Sequence, residues 1–207
     1  MSGSVVDPGM HLFDLHADDV PPADPFALAR QWLPGDDEPD RPRVTLSTIG
    51  EDGYPDARTV LLSAFDDTGF AFHTAATSRK VAELAAAPRA ALTVLWPDHQ
   101  RQLVVRGDVV PDAPGSAVTA WRARTAYLRQ LAWLNTDELA GLPLDERRAR
   151  WAAFTTRPGL PSPADSWTGY RLQPRELTFW AAHPDTASRR LQYVRADDGW
   201  RTAHLAG

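Results

Sequence analysis

From Arg43 to Val110 the chain repeats every two residues, and a single helical stretch interrupts it. Val44, Leu46 and Thr48 alternate with Thr45, Ser47 and Ile49. Gly50-Glu51-Asp52-Gly53 is a hairpin turn, and Tyr54 to Phe65 returns as a second strand. Asp66-Asp67-Thr68-Gly69 turns the chain again, and Phe70 to Thr74 is a third strand. Thr77 or Ser78 caps a helix carrying Val81 and Leu84, stopped by Pro88. Ala90 to Trp96 and Arg101 to Val110 form another hairpin around Pro97-Asp98-His99-Gln100. Connections this short join antiparallel strands, so a small barrel is favoured over a parallel sheet.

The flanks add helices and more strands. Residues 1–22 read as a loosely ordered arm, because several of the 18 prolines fall in the first forty residues. Asp24 is the expected N-cap of a short helix with Pro25 at its first position and Phe26, Leu28, Ala29, Trp32 and Leu33 on it. Gly35 to Pro39 ends that helix. Beyond Pro111 to Pro114 the two-residue period disappears. Ala117, Trp121, Leu128, Leu131 and Leu134, then Leu144, Arg148, Trp151 and Phe154, fall at helical spacings, which predicts a helical insert over about 115–156. Pro158 to Pro163 is a loop. Trp167 to Leu172, Leu177 to Ala182, Leu191 to Val194 and Trp200 to Leu205 are the last strands. With 207 residues and 43% hydrophobic content, residues 23–207 form one domain.

Several function classes are disfavoured. The net charge is −5, without a basic stripe, so nothing supports nucleic-acid binding. The absence of cysteine removes disulfides, thiolate metal sites and thiol catalysis. No apolar run approaches the length of a membrane span, and the opening residues lack the pattern of a signal peptide, so the cytoplasm is the expected location. The six histidines form no short-spaced ligand pair, so no metal site is expected. There is no G-x-S-x-G elbow, no G-x-G-x-x-G and no Walker A sequence.

One stretch does carry chemistry. Arg58 opens the run R-T-V-L-L-S, and Arg79-Lys80 follow Ser78 at a helix start. Free backbone N–H groups and the helix dipole favour an anion there, and cations add charge-assisted bonds. The plainer reading is a solvated Arg-Lys pair, although cations sit unfavourably against that end of the dipole. His73 reads as a satisfied barrel residue or as the edge of a cofactor site. Trp180 ends a strand before a loop holding Arg189 and Arg190, either as a core residue or as one flank of a planar ring.

Asp24-Pro25 with Trp32-Leu33, Arg58-Thr-Val-Leu-Leu, Phe72-His73-Thr74, Ser78-Arg79-Lys80 with Pro88-Arg89, and Arg101-Gln102 follow one another in an order that resembles the pyridoxamine 5′-phosphate oxidase family of FMN-binding split barrels. Phe179-Trp180, Arg190, Tyr193 and Gly199-Trp200 also match. The resemblance implies a mainly β split barrel with peripheral helices, FMN as cofactor and a homodimer with FMN at the subunit interface. It implies that Arg58, Arg79 and Lys80 hold the FMN phosphate, with Thr59, Ser63 and Ser78 in the same motifs. Val60, Leu61, His73, Thr74 and Gln102 would line the ribityl chain and ring. Trp180 and Arg190 would come from the partner subunit.

The departures from that family lie on the substrate side. Its first motif usually ends in lysine, and this chain has Ser63. Of the residues that clamp the substrate phosphate, Arg124 is kept. Leu128, Ala120 or Trp121, and Thr186-Ala187-Ser188 stand at the other positions, which leaves Arg124, Leu128 and Ser188 as substrate-contact candidates, with Arg189 behind them. Serine at the motif's end also occurs in the related flavin oxidases of phenazine biosynthesis. The Trp- and Leu-rich insert is either the wall of a flatter, less charged pocket or ordinary helix packing. The expected activity is an FMN-dependent oxidase that takes a hydride from a C–N or reduced-ring position of a small substrate, with dioxygen as acceptor and no side-chain catalyst identified. Genuine pyridoxamine/pyridoxine phosphate oxidase is the alternative within enzymes. A non-catalytic flavin- or deazaflavin-binding protein is the alternative outside them.

Overall fold

A computed structural model describes residues 13–35, 41–156 and 167–207. The first half of the expected arm, the Asp36 to Pro39 part of the first stop and the Pro158 to Pro163 loop lie outside the described residues. Eight strands form one antiparallel sheet: β1 (Arg43–Ile49), β2 (Pro55–Asp66), β3 (Gly69–Ala75), β4 (Arg89–Trp96), β5 (Arg101–Pro111), β6 (Trp167–Ala181), β7 (Arg189–Ala196) and β8 (Gly199–Ala206). Their order is β3-β2-β1-β4-β5-β6-β7-β8, and β3 also pairs with β6. That extra pairing closes six strands into a barrel and leaves β7 and β8 as an extension.

The long strand β6 makes both arrangements possible. Its first part, Trp167 to Leu172, pairs with β3, and its last part, Glu176 to Ala181, pairs with β7. The sequence reading has two strands here, Trp167 to Leu172 and Leu177 to Ala182. The chain instead continues through a register shift, with Pro174 opposite Gly107 and Glu176 opposite Arg106. Proline has no N–H for the ladder, so a bulge takes up the mismatch. A Cβ on Gly107 would lie 1.9 Å from the Gln173 carbonyl oxygen, so only glycine lets the strands approach this closely.

The alternation read from the sequence becomes the barrel core. Val44 and Leu46, Val60 and Leu62, Phe70 and Phe72, Leu92 and Val94, Leu103 and Val105, and Leu177 and Phe179 are buried in one cluster. Full burial of each such side chain contributes about 1.5–3 kcal/mol. Helix α1 (Pro25–Trp32) is capped by Asp24, whose carboxylate accepts from the Phe26 N–H at 3.0 Å. It buries Trp32 edge-on against Phe179 at 5.2 Å and Trp96 at 5.7 Å.

Residues 13–22 lie against the barrel rather than loosely beside it. Leu15 is buried, Arg189 donates to the Leu15 and Ala17 carbonyls at 3.2 Å, and the Tyr193 hydroxyl donates to the Pro22 carbonyl at 3.0 Å. Backbone carbonyls carried by the arm give these two side chains their partners, a long-range pairing that proline content does not report.

The insert comprises α3 (Ser116–Ala123), α4 (Ala126–Leu134), α5 (Asp137–Ala140) and α6 (Leu144–Thr155). Buried Gln130 ties α4 to α6 by donating to the Trp151 carbonyl at 2.7 Å and accepting from Thr155 at 3.0 Å. Between β3 and β4 lies α2 (Arg79–Ala86). No helix among the described residues is long and apolar enough to cross a membrane.

Candidate functional site

Arg58 sits on the inward face of β2, at the end of the row that buries Val60 and Leu62. Thr48 occupies the matching end of β1. The Arg58 guanidinium donates to Asp56 at 2.8 Å, to Glu83 at 2.7 Å, and to Thr48 Oγ1. Thr48 in turn donates to Glu83 at 2.6 Å. Glu83, on α2, has no exposed surface. Arg79, one turn earlier, forms ion pairs with Glu83 at 2.9 Å and Asp56 at 3.4 Å. Burial pushes the Asp56 carboxyl up, but Arg58, Glu83, Ala57 and Arg79 together hold it below the usual carboxylate range.

Lys80 completes this cationic group. Its Nζ donates to Thr74 Oγ1 at 3.1 Å and to Ser78 Oγ. Burial lowers its pKa, and the nearby Arg58 charge lowers it further. Ser78 is the N-cap of α2, yet its side chain caps no helical amide. Three cations and two carboxylates therefore surround an uncapped helix start with one net positive charge. That arrangement suits an oxyanion, through the amides that Ser78 leaves uncapped and the charges of Arg79 and Lys80.

The remaining expected residues divide between two places. Val60 points into the core with its side chain, so only its backbone can face a ligand. Thr59, Leu61 and Ser63 lie on the opposite face of β2, and the Ser63 hydroxyl is buried without a hydrogen bond. Gln102, Trp180 and Arg190 form one row across β5, β6 and β7, as successive register partners. Arg189 and Arg190 thus begin β7 rather than lying in a loop, and Trp180 is half-buried rather than core. Around the closed barrel β1 and β4 lie between β2 and β5 on one side and β3 lies between β2 and β6 on the other, and no hydrogen bond, ion pair or ring contact among the described residues joins this row to Arg58, Arg79 or Lys80. Ser188 lies beside Gly207, where an added Cβ would meet it, at the Ala181 end of β6, whereas the insert joins β6 at its Trp167 end. Arg189, bound to the arm's carbonyls, is committed to structure.

A second cluster surrounds His73. On the outer face of β3, its imidazole lies 3.9 Å from the Asp112 carboxylate and 3.5 Å from the Ser116 hydroxyl. Asp112 is held by Arg171 at 2.9 Å, and Arg171 also reaches Asp66 at 2.8 Å. Burial drives the His73 pKa down to about 4; Asp112 opposes this, while Arg124 and Arg171 add to it. The imidazole is therefore neutral at pH 7. Arg124, at the C-cap of α3, stacks on Trp167 at 4.2 Å, and Leu128 is half-buried one turn further on. Sequence reasoning missed Asp56, Glu83, Asp112 and Trp167. The spacing of Glu83 four residues after Arg79 was the one available signal.

A groove of about 1290 Å³ lined by Ile49, Arg89, Arg106, Arg175 and Arg195 takes in Thr48 but none of the expected site residues. No group of three or more His, Asp or Glu among the described residues could hold a metal ion.

Comparison with known proteins places this geometry in context. The family model described as "Pyridoxamine 5′-phosphate oxidase" matches residues 36–156, and the model described as "Pyridoxine 5′-phosphate oxidase C-terminal dimerisation region" matches residues 167–207. A pyridoxine/pyridoxamine 5′-phosphate oxidase of Caulobacter vibrioides is 39% identical over 191 residues, covering 88% of this chain and 84% of the relative. One from Thermosynechococcus vestitus is 36% identical over 187 residues, covering 88% of each. Among solved structures, PhzG from Burkholderia lata in complex with tetrahydrophenazine-1-carboxylic acid aligns with a TM-score of 0.76 at 30% identity, covering 90% of this chain and 94% of that one. A likeness in fold alone extends to a pyridoxamine 5′-phosphate oxidase-related protein from Nostoc punctiforme, with a TM-score of 0.65 at 18% identity over 80% of this chain and 88% of that one. Two matched regions, residues 36–156 through the end of the insert and 167–207 over the final strands, and relatives covered over most of their length make this chain a member of the pyridoxamine 5′-phosphate oxidase family.

Proposed function

We propose that the protein is an FMN-dependent oxidase acting on a C–N or reduced-ring position of a small, planar substrate. The observation that carries this reading is the gathering of Arg58, Arg79 and Lys80 around the uncapped start of α2. These residues would hold the FMN phosphate, with Thr74 and Ser78 orienting Lys80. The buried, unpaired Ser63 hydroxyl supplies one more polar contact on the outer face of β2. Bound FMN supplies the hydride acceptor, and dioxygen the final oxidant; the chain's own side chains orient and enclose.

The Gln102–Trp180–Arg190 row supports a homodimer. It stands apart from the cationic cluster of its own chain, so it would complete the site of a second copy. The match of residues 167–207 to a dimerisation region agrees with this.

Purified protein tests the reading directly. A yellow protein that releases FMN on heating and generates peroxide with a reduced heterocycle supports it. A colourless protein that does not quench added FMN would refute it. A second reading, oxidation of pyridoxine 5′-phosphate itself, is favoured by the names of the relatives. Peroxide release with that substrate at ordinary enzyme rates would establish it over the first.

A further inference from the structure

Three side chains pack against the indole of Trp167, the first residue of β6. The Trp167 indole lies nearly parallel to the His73 imidazole, with centres 6.0 Å apart and planes 16° apart. The Arg124 guanidinium lies 4.2 Å from the Trp167 ring centre. Buried Trp121 meets the same indole edge-on at 6.0 Å. The strand register builds this stack. His73 is paired with Gly169, two residues from Trp167 on the same face of β6. A Cβ at Gly169 would fall 2.7 Å from His73 Nε2, so glycine there lets the imidazole lie across β6 towards Trp167.

Arg124 has no counter-ion among the described residues, and its Nε is buried without a hydrogen-bond partner. The neighbouring cations are engaged elsewhere. Arg171 is held by Asp66 and Asp112, and Arg129 donates to the Arg124 carbonyl at 2.9 Å. Burial lowers the Arg124 pKa to about 10, which leaves it charged at pH 7. An acidic partner would hold this guanidinium but cancel its charge. An indole face holds it and leaves the charge available.

Resting on the function proposed above, we infer that Trp167 is a specificity-determining positioning residue: its indole holds Arg124 as a receptor for one carboxylate on a planar heterocyclic substrate, in preference to a phosphate dianion. A guanidinium matches a carboxylate bidentately. A phosphate dianion would leave one charge unbalanced in an aromatic surround, which is costly.

The test is calorimetric titration of the FMN-loaded protein with phenazine-1-carboxylate, its uncharged carboxamide and pyridoxine 5′-phosphate. The carboxylate should bind at least tenfold more tightly than the carboxamide, and more tightly than pyridoxine 5′-phosphate. Arg124→Gln and Trp167→Leu should bring the carboxylate down to the carboxamide's affinity while the carboxamide itself changes little. Trp167→Phe keeps a π face and should retain most of the preference, which a purely structural role would not predict. A carboxylate that fails to bind the wild type, equal affinities for carboxylate and carboxamide, tighter binding of pyridoxine 5′-phosphate, or a preference that survives Trp167→Leu would each overturn the inference. FMN titration of the same preparations separates the two failures. Loss of FMN binding in the wild type refutes the proposed function, and the carboxylate-to-carboxamide ratio can still be read on the FMN-free chain.

Discussion

Replacing Arg58 by alanine removes a cation that has two roles, and a double variant separates them. The structural role is to neutralise Glu83, which has no exposed surface and accepts from Arg58 at 2.7 Å. Removing one partner of a buried pair costs about 3–5 kcal/mol. Glu83 would keep Thr48 and Arg79, so we expect a loss of about 2–3 kcal/mol, read as a lower urea midpoint for the FMN-free protein. The binding role proposed for Arg58 is one charge-assisted contact to the FMN phosphate, worth about 1.5–3 kcal/mol, or about ten- to a hundredfold in affinity. Adding Glu83→Gln to Arg58→Ala removes the uncompensated carboxylate and should recover about 1–2 kcal/mol of stability. FMN affinity, followed by quenching of flavin fluorescence, should stay low. An unchanged urea midpoint for Arg58→Ala would show that Glu83 does not depend on Arg58. Wild-type FMN affinity in both variants would place the phosphate elsewhere.

Three further outcomes follow from the same geometry. His73 has a folded pKa of about 4 against 6.5 for the free side chain, so its contribution to stability is full above pH 6.5 and is lost as pH falls towards 4, because the unfolded chain then binds the extra proton. The loss is about 2 kcal/mol at pH 5, and His73→Phe should flatten the stability profile in that window; an unchanged slope would refute the buried neutral imidazole. Gly169→Ala places a Cβ 2.7 Å from His73 Nε2 and should cost about 1–3 kcal/mol by thermal unfolding, and a neutral result would mean that the ring has room to move. Ser63→Ala removes a buried hydroxyl with no partner, so stability without FMN should change by less than about 0.5 kcal/mol while FMN affinity falls several-fold; a large stability loss would mean that this hydroxyl is bonded within the protein.

Local pattern was enough for much of this molecule. The alternation in β1 through β5, the turns between them, the Asp24 cap and the helical insert all depend on neighbours in sequence, and each lies within a residue or two of its expected bounds. Arg79 and Lys80 at the start of α2 were legible for the same reason, since a helix start and its flanking charges are local features. Partners brought from a distance were not legible. Glu83 and Asp56 carry no local signal: only when α2 folds back over the ends of β1 and β2 is Glu83 buried and are both carboxylates brought to Arg58. The sequence reading places two strands, Trp167 to Leu172 and Leu177 to Ala182, but Gly107 on the facing strand lets β6 pass as one piece, and that piece both closes the barrel and carries β7. Trp167 had no distinguishing neighbours in the chain; its role arises from the β3–β6 register that sets His73 beside Gly169, and from α3, which delivers Arg124 to the same indole. Periodicity and capping are short-range energies written in adjacent residues, whereas burial, charge compensation and stacking depend on which distant surfaces meet.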